Sequence, residues 1–314
     1  KCIGFIPGLW RVGGGGRFDR KKEEILSGPD LAFHFRTGQK ENIRPWTTID
    51  GWAAVDLSHK LETLYRQYNK RRYVDPDPLA FLYRYGAKRD REIAGLLGAS
   101  LAYGRVEMIM KIVGQVLGTM APSPYEYLFG TSEEKLALDF KEFKYRFARG
   151  EHLISLIRGI KGVISDFGSL ESCFLAGMSS GEGDVLAGLS FLIRCLDPLD
   201  KTGHLLADPM KTSACKRSHL FLRWMVRKDR VDPGGWARVP AGCLVVPLDT
   251  HMFKVGTMLG FSCRKNPDRL AALEVTEGFR EINPDDPVKY DFSLTRFGIR
   301  KNLSMDELQN YLTG

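Results

Sequence analysis

The most informative segment of the chain is Val245-Val246-Pro247-Leu248-Asp249-Thr250-His251-Met252-Phe253-Lys254-Val255-Gly256. A short apolar run ends at Pro247, and Asp249 follows in the position of a helix N-cap, where its carboxylate can accept hydrogen bonds from the first backbone amides. Met252, Val255 and Leu259 then recur at helical spacing. The segment therefore predicts a helix that begins beside Asp249 and buries one face. Capping alone is a sufficient role for such an aspartate.

Helical periodicity continues outward from this segment over most of the chain. Ile93, Leu96, Leu97 and Leu101 fall at i, i+3, i+4 and i+8, which predicts one buried stripe on a helix. Other helices are predicted at residues 57–71, 78–85, 109–116, 133–149, 152–165, 185–195, 216–228, 250–259, 269–281 and 287–297. Proline, glycine and aspartate separate them, and no sustained strand alternation or internal repeat is found. The pattern predicts an all-α protein of two packed helical lobes.

The first 58 residues differ from the rest of the chain. No apolar period of a helix or a strand persists between residues 17 and 52, so residues 1–58 are predicted to be an irregular or disordered extension. Residues 59–314 are predicted to form the helical region. Pro7 and the run of glycines at residues 13–16 interrupt the apolar start, which argues against an export signal.

Composition narrows the class of protein further. The 314 residues are 43% hydrophobic and 27% charged, and no apolar run approaches the roughly 20 residues that a bilayer span needs. Six scattered cysteines and six scattered histidines show no spacing typical of a zinc site or an iron-sulfur cluster. We therefore expect a cytoplasmic protein with no membrane span, no metal, no cofactor and free thiols.

Positive charge is concentrated in residues 201–230. Lysine and arginine exceed aspartate and glutamate by 46 to 38 in the whole chain, and this stretch alone holds eight basic residues against two acidic ones. A helix is predicted to begin at Lys216, and its cations lie opposite its apolar residues: Arg223, Arg227 and Lys228. This arrangement predicts a ridge of cations that contacts phosphates. The alternative is that these charges pair with acidic residues elsewhere.

The segment around Asp249 resembles the Pro-hydrophobic-Asp-Thr-His-hydrophobic-Phe-Arg/Lys-Val motif of the helix-hairpin-helix superfamily of DNA glycosylases, typified by endonuclease III. In that superfamily the matching aspartate is catalytic. The likeness covers about residues 57–302 and is strongest after Lys211, where residues 222–227 and 286–292 resemble a mainly prokaryotic family related to those glycosylases. It implies two lobes with a cleft between them: a central lobe at about residues 90–200, and a C-terminal part that returns to the other lobe.

The chain also departs from the superfamily. Residues 210–216 stand where the glycine hairpin Leu-Pro-Gly-Val-Gly is expected, which puts the usual hairpin contact to phosphate in doubt. The four-cysteine loop of endonuclease III is absent, so the resemblance implies no iron-sulfur cluster.

The resemblance also implies a lysine nucleophile. Bifunctional members of the superfamily attack the sugar C1′ with a lysine amine, and Lys216 is our candidate because its distance in sequence from Asp249 is similar to that in the archaeal 8-oxoguanine glycosylases. Asp249 would accept a proton or stabilise positive charge on the sugar. Lys211 is the competing candidate, and for either lysine a surface or phosphate-binding role is the simpler alternative.

A loop near the end of an early helix is the remaining candidate contact. In glycosylases of this superfamily such a loop enters the duplex, and Tyr103-Gly104-Arg105 stands at the corresponding place. Tyr103 would fill the vacated stack and Arg105 would hold the orphaned base or a phosphate. A packed tyrosine and a solvated arginine form the alternative. The expected DNA-binding residues are thus Tyr103, Arg105, Lys211, Arg217, Arg223, Arg227 and Lys228.

Together these features predict a monomeric, nucleoid-associated base-excision repair protein that acts on double-stranded DNA with a damaged base or an abasic site. It would cleave the N-glycosidic bond of a flipped base, with 8-oxoguanine as one candidate lesion, and could also be an AP lyase. Two alternatives stay open: a non-catalytic nucleic-acid binding module on the same scaffold, and a helical protein with no nucleic-acid partner.

Overall fold

Helices carry nearly all the regular structure in the computed structural model, which describes residues 51–178 and 184–314. The helices are α1 (Gly51–Tyr68), α2 (Lys88–Ser100), α3 (Val106–Thr119), α4 (Pro124–Gly130), α5 (Glu133–Phe140), α6 (Gly150–Phe167), α7 (Leu170–Met178), α8 (Val185–Leu196), α9 (Lys216–Val226), α10 (Thr250–Met258), α11 (Arg269–Ile282), α12 (Asp291–Ile299) and α13 (Met305–Thr313). Short 3₁₀ turns lie at Arg71–Tyr73, Pro78–Arg84, Gly203–Leu205 and Ala241–Cys243. The predicted all-α class is confirmed.

The first helix begins earlier than predicted. Helix α1 starts at Gly51, so the last part of the predicted irregular extension is helical, while the prediction for residues 1–50 lies outside the described residues. Leu57, Leu61 and Leu64 are buried at helical spacing, but Val55 just before them is 67% exposed. Because the start of α1 adds no buried apolar side chain at positions 55 and 56, the periodicity in the sequence begins only at Leu57.

The predicted helix over residues 133–149 is half right. Helix α5 ends at Phe140, and a hairpin of two short antiparallel strands follows, β1 (Lys144–Tyr145) and β2 (Ala148–Arg149), in which Tyr145 pairs with Ala148. Two-residue strands are too short to show alternation in the sequence. Helices α4, α7 and α13 were not predicted, and each has nine residues or fewer.

The packing of the helices brings distant parts of the chain together. Helices α4 to α8 pack mainly on one another, and α2 packs against α9, α3 and α4. Helix α12 packs against α10, α13 and α1, and α10 also packs against α11. The loop after α2, the start of α9 and the starts of α10 and α12 therefore come to lie around one cleft.

Candidate active site

The cleft has a volume of about 480 Å³ and is lined by residues from both ends of the helical region. Its wall includes Pro76 to Pro78, the loop after α2, the first turns of α9 and α10, and one face of α12. Its ionisable side chains are Lys216, Asp249, His251, Arg223, Asp291, Arg296 and Asp77. Three of the residues predicted from the sequence therefore line this cleft: Lys216, Asp249 and Arg223.

Lys216 and Asp249 meet in this cleft. Lys216 is the first residue of α9, and its Nζ lies 3.4 Å from Asp249 Oδ2. Asp249 is the N-cap of α10, and its Oδ1 accepts hydrogen bonds from the backbone amides of His251 and Met252, each at 2.9 Å. The Lys216 side chain is 35% exposed and that of Asp249 is 17% exposed, so a ligand in the cleft can reach both. The capping role and the contact with a lysine coexist in one carboxylate.

The segment before α9 fixes the position of Lys216. Ser213 forms an isolated antiparallel bridge with Asp268, and the amide of Arg269 donates to Thr212 O at 2.9 Å. Cys215 then enters α9 with φ 44°, in the left-handed region that residues other than glycine seldom adopt. This segment stands where the resemblance led us to expect a glycine hairpin. It places Lys216 in the cleft wall, whereas the competing candidate Lys211 is exposed and does not line the cleft.

The floor of the cleft is formed by three buried residues, Arg223, Asp291 and Arg296. Arg223 Nη1 donates to Asp291 Oδ2, and Arg296 Nη2 donates to Asp77 Oδ2 at 3.3 Å. The charged groups in the lining balance, since Lys216, Arg223 and Arg296 oppose Asp77, Asp249 and Asp291. A cleft with balanced charges and several donors and acceptors suits a neutral polar ligand better than a free anion.

Asp291 offers an acceptor in the floor. Burial raises the pKa of its carboxyl group above the ordinary value, and the nearby Asp249 carboxylate adds to that rise, while Arg223 opposes it. Its Oδ1 is buried and accepts no hydrogen bond from the described part of the chain. Because an unpaired buried oxygen costs free energy, a ligand that donates a hydrogen bond here would be favoured.

The predicted ridge of cations on α9 is wrong for Arg223 and Arg227. Both side chains are buried, because they enter a network of carboxylates contributed by other segments. Arg223 donates to Asp232 Oδ1 at 3.1 Å, and Arg227 contacts Asp232, Asp229 and Asp286. Although burial by itself lowers the pKa of each guanidinium, the carboxylates raise the pKa of both above the ordinary value. Pairing with acidic residues, the alternative reading of the charge pattern, describes these two arginines.

The other predicted DNA contacts divide into packed and exposed residues. Tyr103 is partly buried, and its hydroxyl donates to Tyr145 O at 3.1 Å. Arg217 lies over the Tyr103 ring, 5.2 Å from its centroid, and donates to Ser100 O and His204 O. The structure thus places Tyr103 and Arg217 in a packed wall rather than in solvent.

Arg105, Lys211 and Lys228 are exposed. Within residues 51–178 and 184–314, none of the three forms a salt bridge. Trp224, on the apolar face of α9, is fully buried. Three predicted phosphate contacts therefore remain available to a ligand.

Residues 77–300 match the model of a family described as protein of unknown function (DUF2400). The chain belongs to this family. Comparisons with the curated proteins and with the solved structures give no match. The family region includes every ionisable residue of the cleft, from Asp77 to Arg296.

A metal-binding group and a membrane span are both absent from the described residues. No three side chains of His, Cys, Asp or Glu in residues 51–178 and 184–314 are grouped in a way that would hold a metal ion. No helix within the same ranges is both long and apolar enough to cross a bilayer.

Sequence reasoning missed Asp291, Arg296 and Asp77 as site residues. Asp291 belongs to a run that carried part of the resemblance, residues 286–292, but nothing in its spacing points to the cleft. Asp77 stands before Pro78 and accepts a hydrogen bond from Leu79 N at 3.0 Å, as a capping residue does. Only the fold brings these side chains next to Lys216 and Asp249.

Proposed function

We propose that this protein is a DNA glycosylase with AP-lyase activity. In this proposal a damaged nucleotide leaves the duplex and enters the cleft, because an enzyme cannot reach the glycosidic bond of a stacked base. The observation that carries the proposal is the distance of 3.4 Å between Lys216 Nζ and Asp249 Oδ2 at the wall of a cleft that a ligand can enter. The two residues are the ones that the resemblance to the helix-hairpin-helix glycosylases selects.

The chemistry assigns separate roles to the two side chains. An ammonium group has no lone pair, so Lys216 must first transfer a proton, and Asp249 Oδ2 is the neighbouring acceptor. The neutral amine then forms a bond to C1′ of the deoxyribose while the bond from C1′ to the base breaks. The base leaves with the bonding electron pair and takes up a proton. That proton comes from Asp249, which becomes a carboxylate again and stabilises positive charge on the sugar. The bond from C1′ to O4′ then breaks, O4′ takes a proton from the new secondary ammonium group, and a Schiff base between Lys216 and C1′ results.

The size and charge of the cleft support a nucleobase as the occupant. Its volume of about 480 Å³ lies within the usual range of roughly 300–1,000 Å³ for small-molecule sites. Pro247, Leu220 and Ile109 supply apolar walls for the faces of a flat ring. The balanced charges of the lining suit a neutral base, whereas the exposed Arg105, Lys211 and Lys228 are available to the phosphates outside the cleft.

The two-lobed architecture is part of the same proposal. Helices α2 to α9 share most of their contacts among themselves, and α1 shares its contacts with α12 and α13. Lys216 begins α9, which belongs to the first group. Asp249 caps α10, which packs against α12 of the second group. A cleft between two such lobes would place one reacting group on each side of the flipped nucleotide, as in the glycosylases that the sequence resembles.

Borohydride trapping tests the proposal directly. A Schiff base between Lys216 and C1′ is reduced by borohydride to a stable protein–DNA adduct. The substrates are duplexes that contain 8-oxoguanine, uracil or an abasic site, with undamaged duplex as the blank. We expect an adduct with wild type and with Lys211→Gln, which removes a neighbouring exposed lysine, and no adduct with Lys216→Gln or Asp249→Asn.

The other outcomes separate the alternatives. Base release without an adduct would indicate a monofunctional glycosylase, in which Asp249 acts without a lysine nucleophile. Salt-dependent binding without base release or adduct on any of these duplexes would favour the non-catalytic binding module. An adduct that persists in Lys216→Gln and disappears in Lys211→Gln would move the nucleophile to Lys211 and contradict the assignment made from the cleft.

A further inference from the structure

Two cysteines from different helices meet at a distance from the residues of the cleft. Cys173 lies in α7 and is fully buried, whereas Cys195 lies near the end of α8 and is half-buried. Both thiols are free, and a hydrogen bond joins them. Neither cysteine lines the cleft, and the proposed function uses neither of them. The pair is therefore a second group of reactive side chains whose role is independent of Lys216.

Close packing of three helices fixes the positions of the two thiols. Helices α7 and α8 pack against each other, and a β-carbon added to Gly177 would lie 3.0 Å from the α-carbon of Gly188. Helix α6 packs against both, and a β-carbon added to Gly159 would clash with Leu196 O, which directly follows Cys195 in the chain. Because glycines allow the backbones to approach this closely, the helices are held together where the thiols meet.

The two thiols differ in acidity and in access. The hydrogen bond with Cys173 lowers the pKa of the Cys195 thiol, and the charge of Arg194 acts in the same direction. Burial and Asp166 oppose that change without cancelling it. The same hydrogen bond and burial raise the pKa of the Cys173 thiol. Since the thiolate is the reactive form and Cys195 is the more accessible of the two, an oxidant in solution meets Cys195 first.

We propose that Cys195 and Cys173 form a peroxide-sensitive pair, which hydrogen peroxide oxidises to a disulfide between α7 and α8. Cys195 gives up its proton and its sulfur bonds to one peroxide oxygen, while the O–O bond breaks and the departing hydroxide takes up that proton as water. The Cys173 sulfur then bonds to the Cys195 sulfur, the S–O bond of the sulfenic acid breaks, and the departing hydroxide takes up the Cys173 proton. Two thiols are thereby oxidised to a disulfide, and one peroxide is reduced to two water molecules.

The burial of Cys173 gives it the role of the resolving thiol. A sulfenic acid without a neighbouring thiol is open to further, irreversible oxidation to sulfinic acid, whereas a neighbouring thiol converts it to a reversible disulfide. Cys173 is in hydrogen-bond contact with Cys195 and closed to solvent, so its sulfur is available to Cys195 and not to the oxidant. Cys263 offers the contrast, because it is exposed and lies between α10 and α11.

Peptide mapping after mild oxidation tests the pair. Trypsin cleaves after Lys161, Arg194 and Lys201, so the two cysteines fall in separate peptides, residues 162–194 and residues 195–201. The folded protein would be treated with an equimolar amount of hydrogen peroxide, blocked with iodoacetamide, digested without reductant and analysed by mass spectrometry. A parallel sample would contain dimedone, which labels sulfenic acids.

Three variants accompany wild type in this experiment. Cys173→Ser removes the resolving thiol and Cys195→Ser removes the thiol that meets the oxidant. Cys263→Ser is the matched control, because it removes an exposed cysteine outside the pair. Wild type would also be oxidised in denaturing urea, where the helices no longer hold the thiols together.

We expect folded wild type and Cys263→Ser to give the two peptides joined, with a loss of about 2 Da that dithiothreitol reverses. The joined species should be absent from Cys173→Ser and Cys195→Ser. In Cys173→Ser, dimedone should label Cys195, because its sulfenic acid then has no resolving thiol. Joining should be about tenfold faster in folded wild type than in urea, because the packing of the helices keeps the thiols in contact.

Three outcomes would overturn the proposal. The first is the absence of the joined peptides in folded wild type, and the second is an equal rate of joining in the folded protein and in urea. The third is dimedone on Cys173 of Cys195→Ser, which would show that the buried thiol reacts directly with the oxidant. The two results on wild type need no substitution, so they decide the proposal even where a variant fails to fold. The borohydride adduct decides the proposed function separately.

Discussion

Asp249 uses its two carboxylate oxygens for two different partners, and Lys216 is one of them. Oδ1 accepts hydrogen bonds from the first amides of α10, and Oδ2 lies 3.4 Å from Lys216 Nζ. The first interaction fixes the rotation of the carboxylate, so the second oxygen is held toward the cleft. A helix cap of this kind positions a catalytic acid or base without any further support.

The two roles of Asp249 are separable by substitution. Asparagine and aspartate cap helices about equally well, whereas alanine at an N-cap costs about 1 kcal/mol. We therefore expect Asp249→Asn to keep the free energy of unfolding nearly unchanged and Asp249→Ala to lower it by about 1 kcal/mol, with both variants losing the borohydride adduct. Urea unfolding and trapping would be measured on the same preparations. A full adduct yield from Asp249→Asn would show that Asp249 is a cap and nothing more.

The buried ionic network behind the cleft predicts a large stability effect. Arg223 bonds to Asp232 and Asp291 within the core, so Arg223→Met leaves the buried Asp291 without its cation and leaves Asp232 with Arg227 alone. Removing one partner of a buried pair costs roughly 3–5 kcal/mol. The matched control is Lys228→Met on the exposed side of the same segment, which should change stability by no more than about 0.5 kcal/mol. Urea unfolding that gives equal values for the two variants would contradict the network.

The same network shows where prediction from the sequence ends. The helix from Lys216 and its apolar face were predicted correctly, because periodicity is a local property of the chain. The direction of Arg223 and Arg227 was not, because their carboxylate partners Asp232, Asp286 and Asp291 come from loops and helices that only the fold brings near. A count of charge within a window cannot distinguish a cation in solvent from one in a buried pair.

The contact between Lys216 and Asp249 was accessible from the sequence for a different reason. Asp249 belongs to a motif that can be read from the sequence, and Lys216 was chosen by its distance in sequence from Asp249. Neither assignment needed knowledge of the packing. Asp291 had neither kind of signal. It enters the cleft from a helix whose predicted and observed starts differ by several residues.

His219 predicts a specific dependence of stability on pH. Burial lowers the pKa of its imidazole from 6.5 to about 4. The folded state therefore holds His219 neutral, while the unfolded chain takes up a proton below pH 6.5, so the contribution of this group is present above pH 6.5 and is lost as the pH falls toward 4. We expect wild type to lose about 2 kcal/mol more than His219→Asn between pH 7 and pH 5. Parallel curves of unfolding free energy against pH for the two proteins would refute this.

Two glycines predict opposite effects of the same substitution. Gly104 has φ 94°, and an added β-carbon there would lie 2.7 Å from Arg146 Nη1 and 3.0 Å from the Tyr145 hydroxyl. Gly118 lies near the end of α3 with nothing within 4 Å of its added β-carbon. Alanine at Gly104 must strain the backbone and move the Arg146 side chain, whereas alanine at Gly118 removes only conformational freedom from the unfolded chain.

We therefore expect Gly104→Ala to lower the free energy of unfolding by about 1–3 kcal/mol and Gly118→Ala to raise it by about 0.5–1 kcal/mol. Thermal and urea unfolding of the two variants would give the sign directly. Stabilisation by alanine at both positions would mean that the loop after α2 does not adopt this turn.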